Sequence, residues 1–158
     1  MKFLYHIYGL VKGLLSNKSA WFYSSEGNSL TECGPNCTAM AASWATGVRY
    51  SASVLRAMNP APLYWNMPLI GVVLNRLDVP HHTVDPYHLN APVTGIYHVG
   101  TNHLVFVVAE PGYNKQRLTV YDPLYSPYEA DWNTFRNSIS YPIAVIPTKL
   151  LPATARRR

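Results

Sequence analysis

The sequence is poor in cysteine and in charge. It has two cysteines, Cys33 and Cys37, and 13% charged residues against 48% hydrophobic ones. Cysteines four positions apart on a helix are badly placed for a disulfide, which argues against a disulfide scaffold or a cysteine-rich zinc site. The hydrophobic content excludes a disordered chain. No run of 18 apolar residues is present, so we expect no transmembrane span.

Acidic residues are also few, which leaves a formal net charge of +5. Three of the thirteen cations are Arg156, Arg157 and Arg158, and we predict a solvated basic tail over 150–158. No RNA-binding or zinc-finger signature accompanies them, so a nucleic-acid partner is not favoured. The first residues resemble the start of a signal peptide, but His6 and Lys12 interrupt the apolar stretch, and Lys18 does not fit a small-residue cleavage site. We therefore favour a reducing, cytoplasmic location, with secretion without a clear signal peptide as the alternative.

The chain length of 158 residues predicts a single domain over 1–158. Residues 1–27 are predicted to form an N-terminal helix and a loop. That helix is expected to pack on the domain, and contact with a partner or a membrane surface is the alternative. Three more helices are predicted over Cys33–Ala45, from a cap at Ser51 to Met58, and over 67–77.

The pattern changes from helical to β after Pro80. Short β-branched or aromatic runs predict four strands, and a Pro-, Tyr- and Ser-rich loop is expected over 123–129. His81 and His82 are expected in a turn, and a short helix is expected to start at Asp131. The predicted strands are Thr94–Val99, Leu104–Ala109, Leu118–Tyr121 and Ile143–Ile146. Helices first and strands second indicate an α+β fold with an antiparallel sheet.

Cys33 is the candidate nucleophile because it follows a polar turn and starts a run of small, helix-compatible residues. Unpaired N–H groups and the positive dipole end at a helix start favour an anion such as a thiolate. Such a position makes a cysteine reactive. Pro35 fits an early helical position, where its missing N–H is not needed.

A base for this thiol is predicted from the later strands. His103 opens the most apolar strand, and Asp122 closes the next one. Strands joined by a hairpin lie side by side, so Asp122 is placed to accept a hydrogen bond from the His103 ring. Bracing of the sheet by such a pair is the alternative. His98 is expected nearby as a residue on the sheet face, while no histidine pair has the spacing of a metal site.

The segment Glu32-Cys33-Gly34-Pro35-Asn36-Cys37-Thr38-Ala39-Met40 resembles the nucleophile motif of C39-type cysteine peptidases, in the papain-like clan. The segments that begin at His103 and at Val120, the second ending in Asp122-Pro123, resemble the family's histidine and Asp-Pro strands. The resemblance spans residues 28–147 and implies a papain-like fold. It implies catalytic Cys33, His103 and Asp122 and a packing role for Cys37. We expect no metal and no cofactor.

The resemblance is incomplete at the position six residues before the nucleophile. The family carries an oxyanion-stabilising glutamine there, whereas this chain has Gly27, and its single glutamine is Gln116. The amide of Asn28 is the candidate substitute, together with the backbone N–H of Cys33. The leading hypothesis is therefore a cysteine peptidase that acts on a peptide or protein substrate through a thioester acyl-enzyme. The alternatives are a peptidoglycan amidase or endopeptidase, a deamidating effector, and an inactive peptidase-like binding module.

Overall fold

A computed structural model describes residues 21–27 and 29–150. The predicted N-terminal helix, Asn28 and Arg156–Arg158 lie outside the described residues. The helices are α1 (Cys33–Thr46), α2 (Ala52–Met58), α3 (Met67–Arg76) and α4 (Trp132–Phe135). The strands are β1 (His81–Val84), β2 (Gly95–Val99), β3 (His103–Ala109), β4 (Arg117–Tyr121), β5 (Tyr128–Asp131) and β6 (Ala144–Pro147).

Helix α1 begins and ends where the sequence predicts. A 3₁₀ turn over Leu30–Glu32 leads into it, and Gly47 ends it with a φ of 76°. That left-handed conformation suits glycine, and the Gly47 N–H donates to the carbonyl of Ser43. The predicted helix start at Cys33 and stop at Gly47 are confirmed.

The side chain that caps α2 is not the predicted one. Ser51 precedes the helix, but its side chain makes no capping hydrogen bond. The carboxylate of Glu26 instead accepts hydrogen bonds from the backbone N–H groups of Ala52 and Ser53. A full negative charge at the positive end of a helix is a stronger cap than a hydroxyl. The loop before α1 is thereby joined to α2.

All six strands form one antiparallel sheet in the order β1-β6-β2-β3-β4-β5. Strands β2 and β3 form a hairpin in which His98 pairs with Leu104 and Val99 pairs with His103. The predicted α+β class with an antiparallel sheet is confirmed.

Two edge strands correct the sequence-based expectations. His81 and His82 lie in β1, which pairs only with β6, and not in a turn. Tyr128, expected in a loop, starts β5, which pairs only with β4. Both strands are half-exposed and polar, so they lack the apolar pattern that marks the central strands.

The core has one layer on each face of the sheet. Helix α1 is almost wholly buried and packs on the face that carries Phe106 and Ile96. On the opposite face, Trp132 of α4 is fully buried between Tyr97 and Phe135. This packing fixes the first turn of α1 against the end of the sheet where β3 begins. Among the described residues, no helix combines the length and the apolar character that crossing a bilayer requires.

Candidate active site

Cys33 is the first residue of α1 and lies in the wall of a cavity of about 230 Å³. The residue is 1% exposed, so little of its surface is accessible to solvent. Its backbone N–H donates to the carbonyl of Leu30, which closes the preceding 3₁₀ turn. The Cys33 N–H, which was expected to donate to an oxyanion, therefore already donates to the Leu30 carbonyl.

The Cys33 sulfur and the His103 ring are in direct contact across 70 positions of sequence. The distance from Sγ to Nδ1 is 3.1 Å. The other ring nitrogen, Nε2, lies 2.9 Å from both carboxylate oxygens of Asp122. The structure thus brings together the three side chains that the sequence singled out, in the order sulfur, imidazole, carboxylate.

Asp122 is itself held in place. It is 5% exposed, and its Oδ1 accepts a hydrogen bond of 2.8 Å from the Leu124 N–H. The Tyr23 hydroxyl donates to the Asp122 backbone carbonyl at 2.6 Å. A buried carboxylate held by these contacts can orient a histidine ring.

These contacts keep the His103 ring protonated at neutral pH. Burial alone would lower its pKa, but hydrogen bonds to Asp122 and Cys33, and their charges, raise the pKa of His103 from 6.5 to about 9. The protonated ring therefore places a positive charge in contact with the Cys33 sulfur.

Cys37, one helical turn from Cys33, has a different environment. It is fully buried in the core, and burial, followed by the nearby charges of Cys33 and Asp122, raises the pKa of its thiol well above the usual value. Burial and an uncharged thiol make Cys37 inert. The structure therefore places it in helix packing, as expected.

Glu32 connects the turn before Cys33 to Arg56 of α2. Its carboxylate lies 3.1 Å from the guanidinium of Arg56, which also donates to the backbone carbonyls of Thr31 and Leu63. The same guanidinium lies 5.5 Å from the centre of the Trp65 ring. Arg56 thus joins the turn before Cys33 to the segment 63–65, a role that its position in the sequence does not reveal.

Trp65 and Gly34 form a contact that sequence analysis missed. A Cβ on Gly34 would lie 2.5 Å from the Trp65 Cβ, closer than atoms can approach. A glycine after Cys33 is therefore required by its contact with Trp65. The glycine itself was the available signal, because a glycine inside a helix costs stability unless packing needs it.

The loop before the nucleophile is fixed by Asn36, a buried polar residue of α1. Its side-chain oxygen accepts from the Ser24 hydroxyl at 2.6 Å and from the Glu26 N–H at 2.9 Å. Its amide donates to the carbonyls of Glu26 and Glu32, both at 2.8 Å. The candidate oxyanion donor Asn28 lies outside the described residues, so its role stays a prediction.

Among the described residues, no other histidine makes a hydrogen bond to Cys33, His103 or Asp122. His81 bonds the Val79 carbonyl through Nδ1, and the exposed His88 lies 3.4 Å from Asp85. His98 lines the same cavity as Cys33. In the described part of the chain, no three His, Cys, Asp or Glu side chains are grouped as metal ligands.

No protein-family model matches the sequence, and no curated protein does. Solved structures with the same architecture do exist. One is a double glycine motif protease from an AMS/PCAT transporter in complex with the leader peptide, with a TM-score of 0.64 and 16% identity. That similarity covers 81% of this chain and 91% of the other.

A second similar structure is the peptidase domain of Streptococcus ComA, a bi-functional ABC transporter involved in a quorum sensing pathway. Its TM-score is 0.63 at 18% identity, over 82% of this chain and 99% of that domain. At these identities the likeness establishes the fold. The chain has the papain-like architecture of C39 peptidase domains, as its sequence predicted.

Proposed function

We propose that the protein is a cysteine peptidase in which Cys33 is the nucleophile, His103 the general acid and base, and Asp122 the residue that orients the His103 ring. The observation that supports this most strongly is the 3.1 Å contact between Cys33 Sγ and His103 Nδ1, with Asp122 on the other ring nitrogen. The substrate we propose is a peptide with a double glycine motif. The similar structures and the small volume of the cavity support this choice.

In the first step the Cys33 thiolate attacks the carbonyl carbon of the scissile bond and forms a carbon–sulfur bond. His103 gives its Nδ1 proton to the leaving amine, and the carbon–nitrogen bond breaks. In the second step water attacks the thioester carbon and gives a proton to His103, and the carbon–sulfur bond breaks so that the sulfur leaves as the thiolate. The acid product leaves, and the Cys33–His103 pair is restored.

The oxyanion of the intermediate is the weak point of this mechanism. We propose the Asn28 amide as one donor and the Cys33 N–H as the other, although that N–H now donates to the Leu30 carbonyl. Loss of one oxyanion donor costs about 3 kcal/mol of transition-state stabilisation, on the order of a hundredfold in rate. We therefore expect a slow peptidase.

Two measurements test the proposal. Wild-type protein should cleave peptides that contain Gly-Gly, and Cys33→Ala should abolish cleavage, with Cys37→Ala as the matched control on the same helix. Alkylation of Cys33 by iodoacetamide should persist below about pH 7, because His103 holds the thiolate, and His103→Ala should remove that persistence.

The other outcomes are informative. Alkylation that rises only near pH 8.5, with no cleavage, would contradict the proposal and support an inactive binding module. Cleavage of muropeptides but not of Gly-Gly peptides would keep the Cys33–His103 chemistry and assign an amidase or endopeptidase acting on peptidoglycan.

A further inference from the structure

His98 is a second histidine in the cavity, and the mechanism above does not use it. It lies in β2 opposite Leu104 of β3, and both residues line the cavity with Cys33. The side chain is partly exposed. Its position on a central strand holds it at a fixed place relative to His103.

The hydrogen bonds of Ser140 determine which ring nitrogen of His98 carries the proton. The Ser140 hydroxyl lies 2.6 Å from the Gly100 carbonyl, which can only accept, so the single hydroxyl hydrogen points there. The Ser140 oxygen also lies 2.8 Å from Nδ1 of His98. Because that oxygen has no second hydrogen to give, Nδ1 must donate to it.

A neutral ring protonated at Nδ1 carries a lone pair at Nε2. No hydrogen bond among the described residues uses this Nε2. Burial, and then the positive charge of His103, lower the pKa of His98 from its usual value. The ring therefore stays neutral at pH 7, and Nε2 is an acceptor. The Tyr141 ring, 5.7 Å away, also lines the cavity here.

We propose that His98 Nε2 accepts a hydrogen bond from the bound peptide. It would form a subsite that binds an uncharged hydrogen-bond donor, such as a side-chain carboxamide or hydroxyl, and that disfavours a carboxylate. A carboxylate has no hydrogen to give, and it would bring its own lone pairs against the lone pair of Nε2. This inference rests on the proposed function in one respect, that a peptide binds in the cavity beside Cys33. It does not require that the peptide is cleaved.

The test is protection of Cys33 from iodoacetamide by short acetylated peptide amides with a central Gly-Gly. The peptides are paired, Asn against Asp, at each position on both sides of the glycines. In the wild type one position should favour Asn, and the His98→Phe variant should reduce that Asn/Asp ratio about five- to tenfold. Each variant is compared with its own alkylation rate without peptide, which removes any change in Cys33 reactivity.

Two further variants sharpen the test. Ser140→Ala frees the proton of Nδ1 to move to Nε2, so the Asn/Asp ratio should fall at the same position, and this variant decides the question if His98→Phe fails to fold. His88→Phe changes an exposed histidine outside the cavity and should leave every ratio unchanged. A ratio that is equal in all four proteins would overturn the inference. Protection with this pattern but no cleavage would overturn the proposed function alone.

Discussion

Helix α1 opens into a cavity at each of its ends, and the two cavities differ in size and in chemistry. The one at the N-terminal end has about 230 Å³ and contains Cys33 and His98. The one at the C-terminal end has about 540 Å³, and no described residue in its lining is a cysteine or histidine. The larger cavity is therefore not the one equipped for covalent chemistry.

The direction of the helix dipole gives the two ends different electrostatics. The N-terminal end is positive and lies beside the His103 imidazolium, so it favours an anion. The C-terminal end is negative and favours a cation, and Lys149 lies 4.7 Å from the Trp44 ring centre there. The cavity at that end also contains the carboxylates of Glu110 and Glu129, which the dipole does not favour.

The sharpest test of this comparison replaces a carboxylate by an amide at each end. Asp122→Asn should lower kcat/KM on the order of a thousandfold or more, because the His103 ring loses the group that orients it. Glu110→Gln is the matched change at the other end and should leave kcat/KM within about a factor of two. Equal losses in the two variants would contradict the assignment of chemistry to the N-terminal end.

The same pair of variants makes a prediction about pH. The His103 pKa is raised to about 9 by Asp122 and Cys33, so the stability it contributes is complete below pH 6.5 and is lost as pH rises through 9. The difference in unfolding free energy between wild type and Asp122→Asn should therefore shrink from pH 6.5 to 9. NMR titration of the His103 ring should show a midpoint near 9 that falls in Asp122→Asn but not in Glu110→Gln.

A smaller effect is expected from changing the cavity wall. In Gly34→Ala the new methyl group would overlap Trp65, so we expect a loss of about 1–3 kcal/mol of stability and a reduced kcat/KM. Gly71→Ala is the control, since it also adds a methyl group to a helix, where the nearest atom is His81 Nε2 at 3.2 Å. Thermal unfolding and peptide cleavage measure both variants. A Gly34→Ala protein as stable as the wild type would show that Trp65 moves freely.

The smallest effect is expected at the C-terminal end. Lys149→Met removes the cation above Trp44 and should cost up to about 1 kcal/mol of unfolding free energy. Its kcat/KM should stay at the wild-type value, measured with the same Gly-Gly peptide. A loss of activity larger than the loss of stability would show that the two ends of α1 are coupled.

Local signals in the sequence were sufficient for the parts of the fold that bury a regular pattern. The start of α1 at Cys33 and its end at Gly47 follow from turn and helix chemistry. The apolar run of β3 predicts a central strand, and the hairpin that joins β3 to β4 predicts that Asp122 lies beside His103. Each of these predictions depends on residues close in sequence or joined by a short turn.

The structural features that the sequence did not predict depend on partners distant in sequence. Strand β1 reads His-His-Thr-Val and is a strand only because β6 pairs with it some sixty positions later. Glu26 replaces Ser51 as the cap of α2 because folding brings a carboxylate to that helix. The proton position on His98 likewise depends on Ser140, 42 positions away. No local propensity encodes such pairings.

Arg56 holds together two stretches of chain that meet beside Cys33. Its guanidinium binds the Glu32 carboxylate and the Thr31 carbonyl in the turn before α1, donates to the Leu63 carbonyl and lies 5.5 Å from the centre of the Trp65 ring. Loss of this one cation would therefore release the turn before Cys33 and the segment 63–65 together. The shape of the cavity and the position of Cys33 cannot be altered independently at this residue.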